Sequence, residues 1–369
     1  MMKRKIILII INALLVAAFS VCLAVSGSVR GALRSQQAAE AWAGRSGRRF
    51  AQLSVFLPGG SAFGENSIYA LREAMDRALA DAVVEPSEGG SLYADAWSAP
   101  GEVSIVAGRN SATVRVYGVG GDFFLFHPLY LRDGSYISGR DLAKDRVVLD
   151  EELAWRLFGS FKIAGFEVLI GGKPYIVAGV VSREDDFASS KAYTDGAGLF
   201  MSIEALRELS GGAGPGAGPE GAGLAGGGPG GGAEILCYEL VLADPVAGFA
   251  LKTLEENFPA SGAVIVENSS RYSLPNLFGL ICAFGERSMR TDEVSFPYWE
   301  NAARYSEDRL ALLLALTIAA AIFPAACAIF YGAKGARYLI IRAIRSVSAK
   351  LKERDAQAAE EYRKAHGNN

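Results

Sequence analysis

Histidine is almost missing from this sequence: His127 and His366 are the only two. A zinc or copper site of the His/Cys kind needs three or four convergent ligands. The four cysteines do not supply them, because Cys22 and Cys327 fall inside long apolar runs. Four cysteines are also too few for a disulfide scaffold. Cys237 and Cys282 either close a loop worth about 4 kcal/mol or stay as buried free thiols, and both readings stand at this point. The sequence has no Gly-x-Ser-x-Gly elbow, so Ser–His–Asp catalysis would rest on His127 alone. In "FLFHP" that histidine reads as a loop or core residue. "GGKP" (171–174) looks like a phosphate loop, but Glu167 stands where its first glycine belongs and Pro174 where Ser or Thr is needed. Glu184, Asp185 and Asp186 read as a solvated turn, with calcium binding as the minor alternative. No catalytic, cofactor-binding or metal-ligating residue is expected, no cofactor is implied, and the chain reads as a non-enzyme.

What the sequence does have is length without charge. Ile6 to Val25 is twenty residues with no ionisable side chain, and Leu310 to Gly332 is a second such run containing Pro324. At about 1.5 Å per residue, each crosses a hydrocarbon core of about 30 Å as a helix. The first run resembles a secretory signal, but the apolar core of a signal is usually only about 7–15 residues, which favours an uncleaved anchor.

Charge orients these spans. Lys3, Arg4 and Lys5 give the N-terminus +3, and the tail from Ala333 to Asn369 carries +5. The whole chain is −3, so the part between them holds −11. Short basic ends belong in the cytoplasm. The expected topology is a two-pass protein of the plasma or inner membrane with both termini cytoplasmic. Its acidic main domain is then periplasmic or extracellular. Such a domain has no use for nucleic acid or another polyanion.

Between the spans, Ala32 to Phe50 reads as a helix continuing from the first one. "FAQLSVFLP" alternates as a half-buried strand does. A helix then presents Ile68, Leu71, Met75, Leu79 and Val83 on one face, capped by Asn66 or Ser67. "SLYADAWSA", "EVSIVAG" and "SATVRVYGV" give three strands. Asp150 caps a short helix stopped by Gly159, and "FEVLI" and "YIVAGVV" form a hairpin across "GGKP". Residues 211–233 are mostly glycine without a collagen period, which makes them a flexible loop. Tyr238 to Ala243 is a strand, Val246 to Phe258 a helix with Phe249, Leu251 and Leu254 inward, and "AVIVEN" a last strand. "SLPNLFGLICAFG" is apolar but too short to span, so it is packed or interfacial. A strand, a helix and several strands make an α+β sandwich.

The stretch Val116 to Gly159, with the hairpin after it, resembles the MacB-like periplasmic core domain of ABC-transporter permeases of the MacB/FtsX type. Gly139–Arg140, Leu149 to Leu153, Phe158–Gly159, Gly165 and Gly179–Val180–Val181 carry the likeness. The resemblance implies the following layout: an N-terminal transmembrane helix at 1–29, a two-lobed extracytoplasmic α+β core domain at 30–308, a second transmembrane helix at 309–332 and a basic cytoplasmic tail at 333–369. Within the core domain, the inserted lobe lies at about 130–209 and the Gly-rich loop at 211–233. It further implies an integral subunit of an ABC transporter complex, coupling a separate ATPase to the outer domain in transport or mechanotransmission. The partners are then the lipid bilayer, that ATPase, and a permease partner or second copy. Such permeases usually carry three spans after the domain, where this sequence shows one. The alternative is an anchored adaptor or sensor that binds an envelope or wall protein without transport. The tail "AKGARYLIIRAIRSVSAKLKER" reads as a basic helix on anionic lipid or as an ATPase-coupling segment.

Overall fold

The computed structural model describes residues 2–44, 46–86, 90–193, 198–211, 233–283 and 294–366. In chain order the elements begin with helix α1 (Met2–Ala32), a 3-10 turn (Arg34–Gln36), α2 (Ala38–Ala43), β1 (Phe50–Phe56), α3 (Glu65–Asp81), β2 (Tyr93–Ala107) and β3 (Asn110–Gly121). There follow α4 (Phe123–Phe126), β4 (Tyr130–Gly134), β5 (Arg146–Asp150), α5 (Glu151–Phe158), β6 (Glu167–Ile170) and β7 (Lys173–Ser182). Then come α6 (Phe187–Ala192), β8 (Gly198–Ser202), α7 (Ile203–Gly211), β9 (Cys237–Ala243) and α8 (Phe249–Asn257). The chain ends with β10 (Val264–Glu267), α9 (Leu274–Cys282) and the long α10 (Tyr298–His366). These divide into two compact units, Gly27–Ala311 and a second formed by Met1–Ser26 with Leu312–Asn369.

The larger unit is built on one sheet, ordered β10-β1-β9-β2-β3-β8-β5-β7-β4, with β6 bridging β2 and β7. Two hydrophobic cores share it. One gathers β1, β9, α3, α8 and the aromatic residues of α4 and early α10. The other gathers β5, β7, β8, α5 and α7. The hairpin β2–β3, paired from Ala96↔Gly121 to Ala107↔Asn110, runs through both. Its near half gives Ala96, Ala99, Tyr117 and Val119 to the first core, and its far half gives Val103, Ile105, Val114 and Val116 to the second.

That hairpin corrects the reading of "SLYADAWSA" and "EVSIVAG" as separate strands, since they are one strand. Pro100 sits between the stretch of β2 that pairs β9 (Tyr93 to Ser98) and the stretch that pairs β6 (Ile105, Val106). A residue without an N–H is tolerated there because no second neighbour asks for one. The "GGKP" hairpin forms as expected, with Gly171 at φ 57° and Gly172 at φ 79°. Two successive positive φ values match the twist of the strands they join.

Other expectations change in the structure. Ala32 to Phe50 is not one helix. The chain breaks after Ala32, and the Gln52 side chain replaces the lost helix bonds, donating to the Ser35 carbonyl (2.7 Å) and accepting from the Ala38 amide (2.9 Å). β1 is buried along its whole length, not on one face: β9 and β10 cover its edges, and α2 and α8 pack against it. The α3 stripe of Ile68, Leu71, Met75 and Leu79 is buried, but its cap is Gly64, and Val83 lies past the helix at φ 54° and 82 % exposed. α8 starts only at Phe249 and turns Ala250, Thr253 and Leu254 inward, while Phe249 and Leu251 are half-buried. Cys237 is buried, Cys282 exposed, and both are free thiols. Of the Gly-rich loop expected at 211–233, residues 212–232 lie outside the described residues.

In the smaller unit, α1 and α10 are each long and apolar enough to cross a membrane. Leu14, Val21, Ile322 and Ile329 are exposed, and Asn12 turns its amide back to the Leu8 carbonyl (2.8 Å) and toward Cys327 Sγ (3.7 Å). The helix that contains the second expected span, 309–332, starts earlier, at Tyr298, and Leu310 and Ala311 are buried in the domain.

Candidate functional site

Helix α10 opens with Glu300, Arg304 and Glu307 at i, i+4 and i+7, one face of two helical turns. That face meets Arg271, in the turn between β10 and α9. Arg271 is 4 % exposed and Glu300 1 %. The guanidinium donates Nη1 to Glu300 Oε2 (2.8 Å), Nη2 to Glu300 Oε1, and Nε to Glu307 Oε1 (2.8 Å). Nη1 also reaches Gln36 Oε1 at 3.1 Å, in the turn just after α1. Arg304 donates Nε to Glu300 Oε1 (2.8 Å) and lies 3.6 Å from the centre of the Phe296 ring. Burial alone would push the Arg271 guanidinium down; the Glu300 carboxylate beside it outweighs that and holds it above its ordinary value. One cation therefore joins the end of the first long helix, the start of the last one and the edge of the sheet.

The polar chain continues inward. Arg271 Nη1 also approaches Asn268 Oδ1 (3.3 Å), whose Nδ2 donates to Ser54 Oγ (2.7 Å), and that hydroxyl lies 3.5 Å from Glu239 Oε1. Glu239 Oε2 pairs with His127 Nε2 at 2.6 Å. His127 is thus a core residue, its ring 4.4 Å from those of Phe123 and Trp299. Glu239 is the carboxylate the sequence hid, 112 residues away.

A second buried acid sits in the other core. Asp150 caps α5 as expected, accepting from the Leu153 amide (2.7 Å), and also accepts from the Gly198 amide (2.6 Å) and from Arg183 Nη2 (2.6 Å). Burial pushes its carboxyl up, and Arg183 and the two amides pull it back only in part.

The acidic run 184–186 is not a solvated turn. Asp186 caps α6 through the Ala188 and Ser189 amides (2.9 and 3.1 Å), and Glu184 accepts from the Tyr193 hydroxyl. Among the described residues no His, Cys, Asp and Glu side chains gather as a metal site. The motif glycines serve the backbone: a Cβ on Gly139 would stand 2.8 Å from the Gly121 nitrogen, so only glycine lets the Gly139–Arg140 turn lie against the end of β3.

Residues 6–220, more than half of the chain, match the family described as the MacB-like periplasmic core domain. The chain belongs to that family. It is a domain of ABC-transporter-type permeases, a membrane transport family and not an enzyme class. The chain is similar to the periplasmic region of MacB from Actinobacillus actinomycetemcomitans, at 16 % identity and TM-score 0.37, over 59 % of this chain and 89 % of that one. It is also similar to the extracellular domain of the ABC-type transporter YknZ from Gram-positive bacteria, at 15 % identity and TM-score 0.36, over 58 % and 99 %. A domain of a permease-like protein from Porphyromonas gingivalis aligns at 12 % identity and TM-score 0.30, over 60 % and 89 %. No curated protein matches the chain.

The signature stretch of this MacB-like domain was legible as architecture, but the Arg271 cluster was not singled out. Its signal was the Glu300–Arg304–Glu307 spacing directly ahead of an apolar run. Charges on one face of a helix that is about to become wholly apolar need a partner, and the upstream arginines are Arg290, Arg287 and then Arg271, so spacing alone does not single out Arg271.

Proposed function

We propose that this protein is an integral subunit of an ABC transporter-type complex. In it, a separate ATPase drives motion that the two long helices pass to the MacB-like domain. The observation that carries this is the single buried guanidinium shared by Gln36, Glu300 and Glu307. A passive tether needs no such joint, since a flexible linker anchors a domain equally well. A buried ion cluster with several directional bonds transmits displacement, because breaking any one bond strands a charge in a dry core. Both chain ends are cytoplasmic on this reading, the domain stands outside, and the ATPase, with a permease partner or second copy, is met from within. The chain itself performs no catalysis.

Purifying the tagged full chain in mild detergent tests the assignment. Copurification of an ATP-binding cassette subunit is expected. Recovery with envelope or wall proteins alone would support the anchored adaptor instead. Cysteine labelling of intact cells checks the topology: sites introduced at both ends should be protected and one placed within 211–233 labelled.

A further inference from the structure

Helix α9 is strongly apolar and yet little buried. Ser273 to Ala283 contains no charged side chain, yet only Leu277 is buried; Leu274 is 62 % and Phe278 55 % exposed. Water-facing apolar residues clustered on one side of a helix mark a surface that meets something else. The location of α9 says what. It begins three residues after Arg271, and Arg271 is bonded to Glu307. Three residues beyond Glu307, at Leu310, α10 enters an uncharged stretch extending to Gly332.

The same level of the domain carries a second such feature. Phe187, at the start of α6, is 54 % exposed. It lies 5.8 Å from the ring of Tyr305 and under the guanidinium of Arg309 (5.2 Å), with Lys191 5.9 Å above it. Aromatic rings with lysine and arginine beside them, next to the point where a helix loses its charges, form the belt that proteins place at lipid headgroups.

We infer that α9, with Phe187 beside it, is a membrane-surface foot of the extracytoplasmic domain: Leu274 and Phe278 enter the outer leaflet of the bilayer, and Lys191 and Arg309 sit among its phosphates. The occupant is lipid, because α9 leaves from Arg271, which is bonded to Glu307, because the rings of Phe187 and Tyr305 with Lys191 and Arg309 stand at the last charged turn before the uncharged run of α10, and because Ser273 to Ala283 carries no charge to pair with a protein partner. The foot sets the height of the domain while the Arg271 joint is free to pass motion. It rests on the two-span reading.

Spin labels test it in the full chain reconstituted into vesicles of phosphatidylethanolamine and phosphatidylglycerol. Single cysteines are placed at Leu274, Phe278, Ile322 in the span and Glu255 on α8, in a chain whose exposed Cys282 and span cysteines are replaced. At 274 and 278 collisions with oxygen should exceed those at 255, and collisions with a water-soluble nickel chelate should fall several-fold below them. The values should approach those at 322. Free access of nickel at 274 and 278 would overturn the proposal, and so would exclusion of both quenchers, which would mean a protein partner. If 322 itself met nickel freely, the span reading would fail and the foot with it. A lipid signal at 322 alone would remove only the foot.

Discussion

The two ends of the sheet hold together by different chemistry. Around β5, β7 and β8 the core is Val147, Leu149, Val177, Val180, Leu199 and Met201, closed by Leu153 and Leu157 of α5. Around β1, β9 and β10 the sheet has a hydrophobic core as well, but it also buries Gln52, Ser54, Glu239 and Asn268, and beyond them Arg271, Glu300 and Glu307. The aliphatic end gains stability in proportion to the area it hides and is indifferent to which residues hide it. The polar end gains little net stability from its ion cluster, because desolvation cancels most of the attraction. What it gains is dependence: each member is needed by the others. That end carries the helices leading toward the membrane, where a fixed connection matters more than a stable one.

The sharpest way to break this contrast is Arg271→Ala. It leaves Glu300 buried without its main cation and should cost about 3–5 kcal/mol. Urea unfolding of the detergent-solubilised chain, followed by tryptophan emission, measures it; Trp299 lies in the adjoining core. A loss under about 1 kcal/mol would mean that the cluster is wet and that no joint exists.

Leu149→Ala, in the aliphatic end, should cost about 3 kcal/mol through lost burial and a cavity. The two variants differ in what restores them. Enlarging a neighbour in the aliphatic core should recover part of the loss, whereas no apolar enlargement should rescue Arg271→Ala unless Glu300 and Glu307 are also made apolar.

The buried acid of the aliphatic end sharpens the comparison through pH. Arg183→Met should cost about 2 kcal/mol near neutral pH by leaving Asp150 without its cation. The Asp150 carboxyl is already pushed up by burial and would rise further. A folded-state value above the unfolded one favours folding fully below the unfolded value, and the advantage is lost as pH rises through the folded value. The variant's deficit should therefore shrink on acidification toward about pH 5. Urea midpoints at several pH values would show it, and adding Asp150→Asn should flatten the response. A deficit that deepens on acidification would refute this.

The same contrast explains what could be read from the residues alone. α5 was legible down to its cap and its stop, because Asp150, the Leu153–Leu157 stripe and Gly159 are local signals. The Gly171–Gly172 hairpin was legible for the same reason. Long-range pairing was not. β1 reads as half-buried until β9 and β10 pair its edges from some 190 and 210 residues away and α2 and α8 pack against it. The break after Ala32 depends on Gln52, and the meaning of His127 depends on Glu239. The strand through Pro100 could be understood only once its one-sided pairing was known. The Arg271 cluster combines three separate stretches of chain, so no window of sequence contains it.

The smallest expected effect tests what local capping contributes to α6. Asp186 accepts both the Ala188 and Ser189 amides on Oδ1, while Oδ2 is buried without a partner among the described residues. Asp186→Ala strips the cap and should cost about 1 kcal/mol. Asp186→Asn keeps an acceptor in the Oδ1 position and gives up only the carboxylate's attraction to the helix end, so it should cost a few tenths. α6 is only six residues and carries Phe187, so fraying should show first as faster amide exchange at Ser189 and Ser190 and only weakly in global unfolding. If Ala and Asn behaved alike, the cap would owe its effect to charge and not to the two hydrogen bonds, and α6 would be held by Phe187 and Tyr305 packing alone.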